Sequence, residues 1–194
     1  MLRVGVILGS TRPGRLGEQV AEWVMAQVQQ RSDAHYELID LADHPLPHLD
    51  EAVPPSMGRY EHEHTRRWAR LIDGFDGFVV ISPEYNHAMP GVVKNAFDYL
   101  YAEWNNKAIG FVSYGSAGGV RAVEQLRLVA GELQMADVRS QVMLPFAAEF
   151  ENHRTFRPTD AAAKALDDML GQVIAWTGAL AQLRQSQQPE RLAG

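Results

Sequence analysis

The chain has 194 residues, 46% of them apolar and 22% charged, with a formal net charge of −6 and no cysteine. A chain of this size and balance predicts one domain whose core buries roughly 70% of the unfolded surface. The acidic balance argues against a nucleic-acid surface, and the missing thiols exclude disulfides, thiolate-held zinc, cysteine-ligated iron–sulfur clusters and a C-x-x-C relay, so any electron transfer must reside on a bound cofactor.

Leu2 to Leu8 reads as a first strand, followed over residues 16–31 by a helix pattern with Leu16, Val20, Val24 and Val28 on one face. Tyr36 to Leu41 predicts the second strand. Residues 42–60 carry Pro45, Pro47, Pro54, Pro55 and Gly58, too many breakers for an element, and connections this long are often functional. A helix ends near Asp73, and residues 76–81 then run apolar without alternation, as a strand buried on both faces does. A helix follows Pro90-Gly91 as far as Tyr101. The fourth strand is Ala108 to Ser113, the next helix covers 119–134, the fifth strand is Val138 to Leu144, and a last helix over 160–184 carries Leu166, Leu170, Val173 and Leu180. This alternation predicts an α/β fold, a doubly wound five-stranded parallel sheet with helices on both faces, because right-handed crossovers place helices on either side. One domain over residues 1–185 and a frayed polar tail over 186–194 are expected. No apolar run approaches the ~20 residues of a membrane helix, and the chain opens directly into a strand, which predicts a cytoplasmic protein without membrane contact.

Between the first strand and helix stands Gly9-Ser10-Thr11-Arg12-Pro13-Gly14-Arg15-Leu16-Gly17. Glycines let backbone approach an anion, Ser10 and Thr11 offer hydroxyls, Arg12 and Arg15 offer charge, and the helix start adds its positive dipole end. The spacing excludes two common phosphate loops. A Walker loop needs lysine and a hydroxyl where Arg15 and Leu16 stand, and a dinucleotide loop needs a glycine where Arg12 stands. A monophosphate such as that of FMN remains.

In a doubly wound sheet the ligand lies outside the carboxyl ends of the strands, so the loops after strands one, three and four should converge on it. The second is Ser82-Pro83-Glu84-Tyr85-Asn86-His87 and the third Tyr114-Gly115-Ser116-Ala117-Gly118-Gly119. Pro83 fixes a turn, Tyr85 offers a flat amphipathic face, and Asn86 offers donors. Of the other histidines, His44 and His48 lie in the proline-rich connection, and His62 and His64, two apart, face different sides of a helix, so no metal site is expected.

The segments Gly-Ser-Thr-Arg-Pro-Gly-Arg at 9–15, Pro-Glu-Tyr-Asn at 83–86 and Val-Lys-Asn-Ala-Phe-Asp at 93–98 resemble those of the NADPH-dependent FMN reductases, flavodoxin-like proteins that include quinone, azo-dye and chromate reductases. The resemblance covers residues 1–150. It implies that Ser10, Arg12, Arg15, Leu16, Gly17 and Glu18 hold the flavin phosphate, that Pro83, Glu84, Tyr85 and Asn86 run along the isoalloxazine, and that Gly115, Ser116, Ala117, Gly118 and Gly119 close over its pyrimidine end. His87 follows the flavin loop directly and is expected on the substrate side. No acid–base side chain is required for such chemistry. The implied activity is two-electron transfer from NADPH or NADH through FMN to flavin, quinone, azo or similar small acceptors by ping-pong kinetics. A flavodoxin-type carrier or a flavin-binding sensor would share the fold. The resemblance also implies a homodimer or homotetramer, and Phe97, Tyr99, Leu100, Tyr101 and Trp104 suggest a partner surface on the helix after Gly91.

Overall fold

The computed structural model describes the backbone of residues 1–191 and the side chains of residues 1–186. Five parallel strands, β1 (Leu2–Leu8), β2 (Ala34–Asp40), β3 (Gly77–Pro83), β4 (Ala108–Gly115) and β5 (Ala136–Pro145), stand in the order β2-β1-β3-β4-β5. The order reverses between β1 and β3, so the loops leaving those two strands diverge and open a crevice. Every residue of β3 is buried, as its unbroken apolar run predicts for a strand covered on both faces, and so is every residue of β4.

Two cores flank the sheet. On one face α1 (Gly17–Val28) lays Val20, Val24 and Val28 against the sheet beside α6 (Asp160–Arg191), which contributes Leu166, Leu170 and Val173. On the other face α2 (Glu63–Asp73), α3 (Gly91–Asp98) and α4 (Val120–Glu132) bury Trp68, Ile72, Val93, Phe97, Val123 and Leu126. Within the connection 42–60, only Pro55–Met57 forms a short 3-10 turn.

Three expectations are corrected. α3 ends at Asp98 rather than Tyr101, and the turns beyond it drive Tyr99, Leu100 and Trp104 inward, each under 2% exposed. The Trp104 indole donates to the Phe97 carbonyl at 3.3 Å, and Trp104 meets Trp68, Phe78 and Phe97 at ring separations of 4.7–6.3 Å. These aromatics are core of a single copy and offer no argument for a partner surface. The last helix does not stop near residue 184 but runs through Arg191, so most of the tail expected to fray is helical, and residues 192–194 lie outside the described residues. The chain after β5 also forms a one-turn helix α5 (Phe146–Glu149) and a small hairpin of β6 (Phe150–Glu151) and β7 (Thr155–Phe156), whose two-residue strands are too short to show periodicity. Among the described residues, no helix is long and apolar enough to cross a membrane.

Candidate functional site

The three expected loops meet at the carboxyl edge of β1, β3 and β4. The Gly9 N–H donates to the Ile81 carbonyl at 2.8 Å, and the Glu84 N–H donates to the Tyr114 carbonyl at 3.2 Å. Between them lies a cavity of about 140 Å³ lined by Arg12, Arg15, Leu16, Pro83, Glu84, Tyr85, Tyr114 and Phe146. The first-turn N–H groups of α1, which begins at Gly17 with Leu16 as its cap, have no acceptor within the helix and carry the positive end of its dipole. Gly17 matters for a second reason: a Cβ there would fall 2.7 Å from the Tyr114 hydroxyl, so only glycine lets this tyrosine lie over the helix start. Burial pushes the Tyr114 hydroxyl well above the ordinary tyrosine range and keeps it a neutral donor.

Within the first loop the side chains divide their tasks. Ser10 is fully buried, and its hydroxyl shares a hydrogen bond of 2.8 Å with the Tyr85 hydroxyl, joining the first loop to the second. Arg12 is exposed, its carbonyl accepts the Arg15 N–H at 3.1 Å, and its guanidinium makes no hydrogen bond or ion pair among the described residues. Arg15, expected to face an anion, has its guanidinium turned inward. It meets both oxygens of Asp40, the Ser10 carbonyl and, at 3.0 Å, Glu18, and its side chain is only 9% exposed. The pairing with Asp40 holds Arg15 in its charged form. Arg15 lines the cavity but spends its donors on the protein. Asp40, at the end of β2, gave no sequence signal because its partner lies 25 residues earlier in the chain.

The second loop is a tight hairpin turn. Tyr85 and Ala88 exchange both backbone hydrogen bonds at 3.0 Å, with Asn86 (φ 50°) and His87 (φ 72°) in the left-handed region between them. Asn tolerates that region, whereas His there stores strain of about 1–3 kcal/mol, which marks the turn as over-determined by its surroundings. Gln125 on α4 donates to the His87 carbonyl at 3.1 Å, and the Asn86 and His87 side chains stay exposed. Glu84 does not reach out as a ligand. Its carboxylate is 5% exposed, pairs with the Arg121 guanidinium and accepts the Arg121 backbone N–H at 3.1 Å in the first turn of α4. Burial works to raise this carboxyl, but the Arg121 contacts outweigh it and hold Glu84 below the usual carboxylate range.

The third loop turns on Gly115, Gly118 and Gly119. The Gly118 N–H donates to the Gly115 carbonyl at 3.1 Å, and the Ser113 hydroxyl donates to the Gly118 carbonyl at 2.7 Å. Gly119 has φ 74°, and a Cβ there would stand 2.7 Å from the Ser113 Cβ and 2.8 Å from the Tyr114 nitrogen. Ser116 and Ala117 are exposed at the tip, beside the cavity but outside its walls. Sequence reasoning missed Asp40 and Phe146, which reach the site from elements whose contact with it is purely tertiary, and named Tyr114 only as the first residue of the third loop, without a role.

Away from the crevice, the His62 and His64 rings stack at 5.1 Å, because His62 precedes α2 as its cap and is not bound to helical spacing. Among the described residues, no group of three or more His, Asp or Glu is placed to hold a metal ion. A larger cavity, about 350 Å³, lies at the opposite edge of the sheet, lined by Asp73, Asp76, Lys107 and Arg184 among others.

The fold defines a flavodoxin-like protein with a crevice at the β1/β3 switch point. The family model of the NADPH-dependent FMN reductases matches residues 2–149. An NAD(P)H-dependent FMN reductase of Schizosaccharomyces pombe is 44% identical over 135 residues, 69% of this chain and 68% of that protein. A 2-hydroxy-1,4-benzoquinone reductase of a Burkholderia species is 29% identical over 143 residues, 69% of this chain and 73% of that one. Among solved structures, the flavoenzyme NAD(P)H:(acceptor) oxidoreductase FerB of Paracoccus denitrificans superposes with a TM-score of 0.72 at 20% identity, covering 92% of this chain and 98% of that one. The chain belongs to the NADPH-dependent FMN reductase family. It is therefore an oxidoreductase with FMN as cofactor and NAD(P)H as electron donor.

Proposed function

We propose that the chain passes two electrons from NAD(P)H to a small flat acceptor, a quinone or an azo compound, one substrate leaving before the next enters. The observation that carries this reading is the convergence of an unpaired arginine, a helix start and two donor-rich turns on one open crevice. The residues present fit FMN. Arg12 and the first-turn N–H groups of α1 form a cradle for a phosphate. Ser10 braces that cradle through Tyr85. The cavity of about 140 Å³ encloses only part of a molecule of this size, which leaves its mouth to a second flat molecule. When bound, FMN supplies the two-electron carrier that takes hydride from the nicotinamide and passes the pair to the acceptor.

The remaining roles belong to the protein. Backbone N–H groups of Asn86 and His87, between the paired Tyr85 and Ala88, and of Ser116 and Ala117 offer fixed donors to the edge of a ring, and fixed donors stabilise developing negative charge without reorganising. Glu84 and Arg121 lock the second loop to α4, so the two donor sets keep their spacing. His87, exposed at the tip of the turn, meets the acceptor. No general acid or base is assigned.

The test is an absorption spectrum of the FMN-loaded protein, followed under anaerobic conditions on adding NADPH or NADH. Bleaching of the band near roughly 450 nm, with recovery when a quinone is added, is the expected result. Bound flavin that neither nicotinamide bleaches would overturn the reading in favour of an electron carrier. Initial rates that form parallel lines in double-reciprocal plots across quinone concentrations distinguish the ping-pong order from a ternary complex.

A further inference from the structure

The turn that leaves β3 departs from the residue types its shape favours. Tyr85 and Ala88 close a two-residue hairpin, and both residues between them lie in the left-handed region, Asn86 at φ 50° and His87 at φ 72°. That is the pattern of a type I′ turn, in which asparagine followed by glycine fits best, because glycine takes the second position without steric cost. Asn86 obeys the rule and His87 breaks it.

No contact of the side chain offsets that cost. The His87 carbonyl accepts from Gln125 at 3.1 Å, a bond that a glycine would make equally well. The imidazole is exposed and, among the described residues, makes no hydrogen bond, ion pair or ring contact. His153 supplies the contrast. It too lies in the left-handed region, at φ 54°, but it sets its ring edge-on to Phe146 at 6.0 Å. A strained residue with an idle side chain, two positions after Tyr85 in the crevice wall, points to a ligand and not to packing.

Without a general acid, the reaction proposed above lacks a dedicated source for one proton. A quinone that receives a hydride equivalent, two electrons with one proton, is left as an anion on its second oxygen. A second proton must reach that oxygen, and a positioned imidazolium delivers it faster than water does. We propose that His87 donates this proton. An N–H bond of the imidazolium breaks, an O–H bond forms on the acceptor, the neutral hydroquinone leaves, and water returns a proton to the ring. The ionisable residues on the elements around the turn pair elsewhere, Glu84 with Arg121, Glu124 with Arg127 on α4, Lys94 with Asp98 on α3, and Tyr85 with Ser10. None of them contacts the imidazole. The assignment rests on the two-electron reading and adds to it the group that completes reduction of the acceptor.

Two variants test it. His87→Gly relaxes the turn, so thermal unfolding should rise by about 2–4 °C, with or without flavin. His87→Gln keeps the strained backbone and removes the proton donor. In stopped flow, FMN-loaded protein reduced with NADPH is mixed anaerobically with a benzoquinone or with ferricyanide, which takes single electrons and no proton. The ratio of the quinone rate to the ferricyanide rate should fall about tenfold or more in both variants. In the wild type that ratio should decline as pH rises from about 5 to 9, and in His87→Gln it should stay flat. Wild-type and His87→Gln ratios that agree at every pH, or no rise in unfolding temperature for His87→Gly, would overturn the assignment while leaving the oxidoreductase reading intact. A flavin that neither NADPH nor NADH reduces would sink both.

Discussion

The Arg15 guanidinium lies across both oxygens of the Asp40 carboxylate, with Nη1 at 2.7 Å from Oδ1, and so ties the phosphate loop to the end of β2. Asp40 also accepts the Ala42 N–H at 2.9 Å, which fixes the start of the proline-rich connection. One carboxylate therefore fixes both the first loop and the start of the connection that follows β2.

If Arg15 is a strut, Asp40→Ala releases it and the loop loosens, so FMN affinity falls about tenfold and thermal unfolding drops by about 4–8 °C, the signature of roughly 2 kcal/mol lost from a half-buried pair. If Arg15 instead binds the phosphate directly, freeing it raises FMN affinity. Titration of flavin fluorescence on the variant separates the two.

Tyr85→Phe removes the hydroxyl that reaches Ser10 and nothing else of the ring. A net hydrogen bond of about 1 kcal/mol predicts a several-fold faster release of FMN and a fall of about 2–4 °C in unfolding temperature. Stopped-flow displacement of the flavin measures the rate. An unchanged rate would mean that the link between the two loops does not bear on cofactor retention.

Gly119→Ala puts a Cβ into the Ser113 side chain and the Tyr114 nitrogen at a backbone angle that L-residues avoid. A cost of about 3 kcal/mol or more follows, read as a fall of roughly 6–12 °C in Tm, with the third loop displaced and FMN affinity reduced along with it. Gly91→Ala, where a Cβ meets nothing within 4 Å, serves as the control and should stay within about 2 °C.

Lys107 is 3% exposed and donates to the Ile72 and Asp73 carbonyls at 2.9 and 3.3 Å, capping the end of α2. Burial pushes its ammonium down to about 8, against the opposing pull of Asp73, from an ordinary value of 10.5. Between those two values the unfolded chain holds a proton that the folded one has released, so stability rises with pH across that window; below about pH 8 the cost of the buried charge is fully present. Wild type minus Lys107→Met, compared by denaturant unfolding from pH 7 to 10.5, should shift in favour of wild type by up to roughly 3 kcal/mol. A flat difference would show that the ammonium keeps its proton throughout.

Glu84→Gln tests the opposite sign. The depressed Glu84 carboxyl contributes stability above the unfolded carboxylate range, and that contribution is lost only as pH falls through the lower folded value. The stability gap between wild type and variant should thus be constant near neutrality and close in acid. A gap that closes instead between pH 6 and 8 would contradict the pairing with Arg121.

What the chain's order of residues determined was the periodic and the local: an unbroken apolar run marked β3 as a central strand, and Gly9 to Gly17 set glycines, hydroxyls and two arginines before a helix start. Those signals are legible because strand burial and anion cradles depend on neighbours within a few positions. The tertiary structure alone decided which polar groups remain for a ligand. Arg12 and Arg15 look equivalent in sequence, yet Asp40 claims one and leaves the other, and Glu84, read beside a ring, is claimed by Arg121. The aromatic run from Phe97 to Trp104 was ambiguous between surface and core until the turns after Asp98 folded it inward. Partner choice among charged and aromatic side chains is set by separations of tens of residues that only the completed sheet brings together, and no local pattern encodes it.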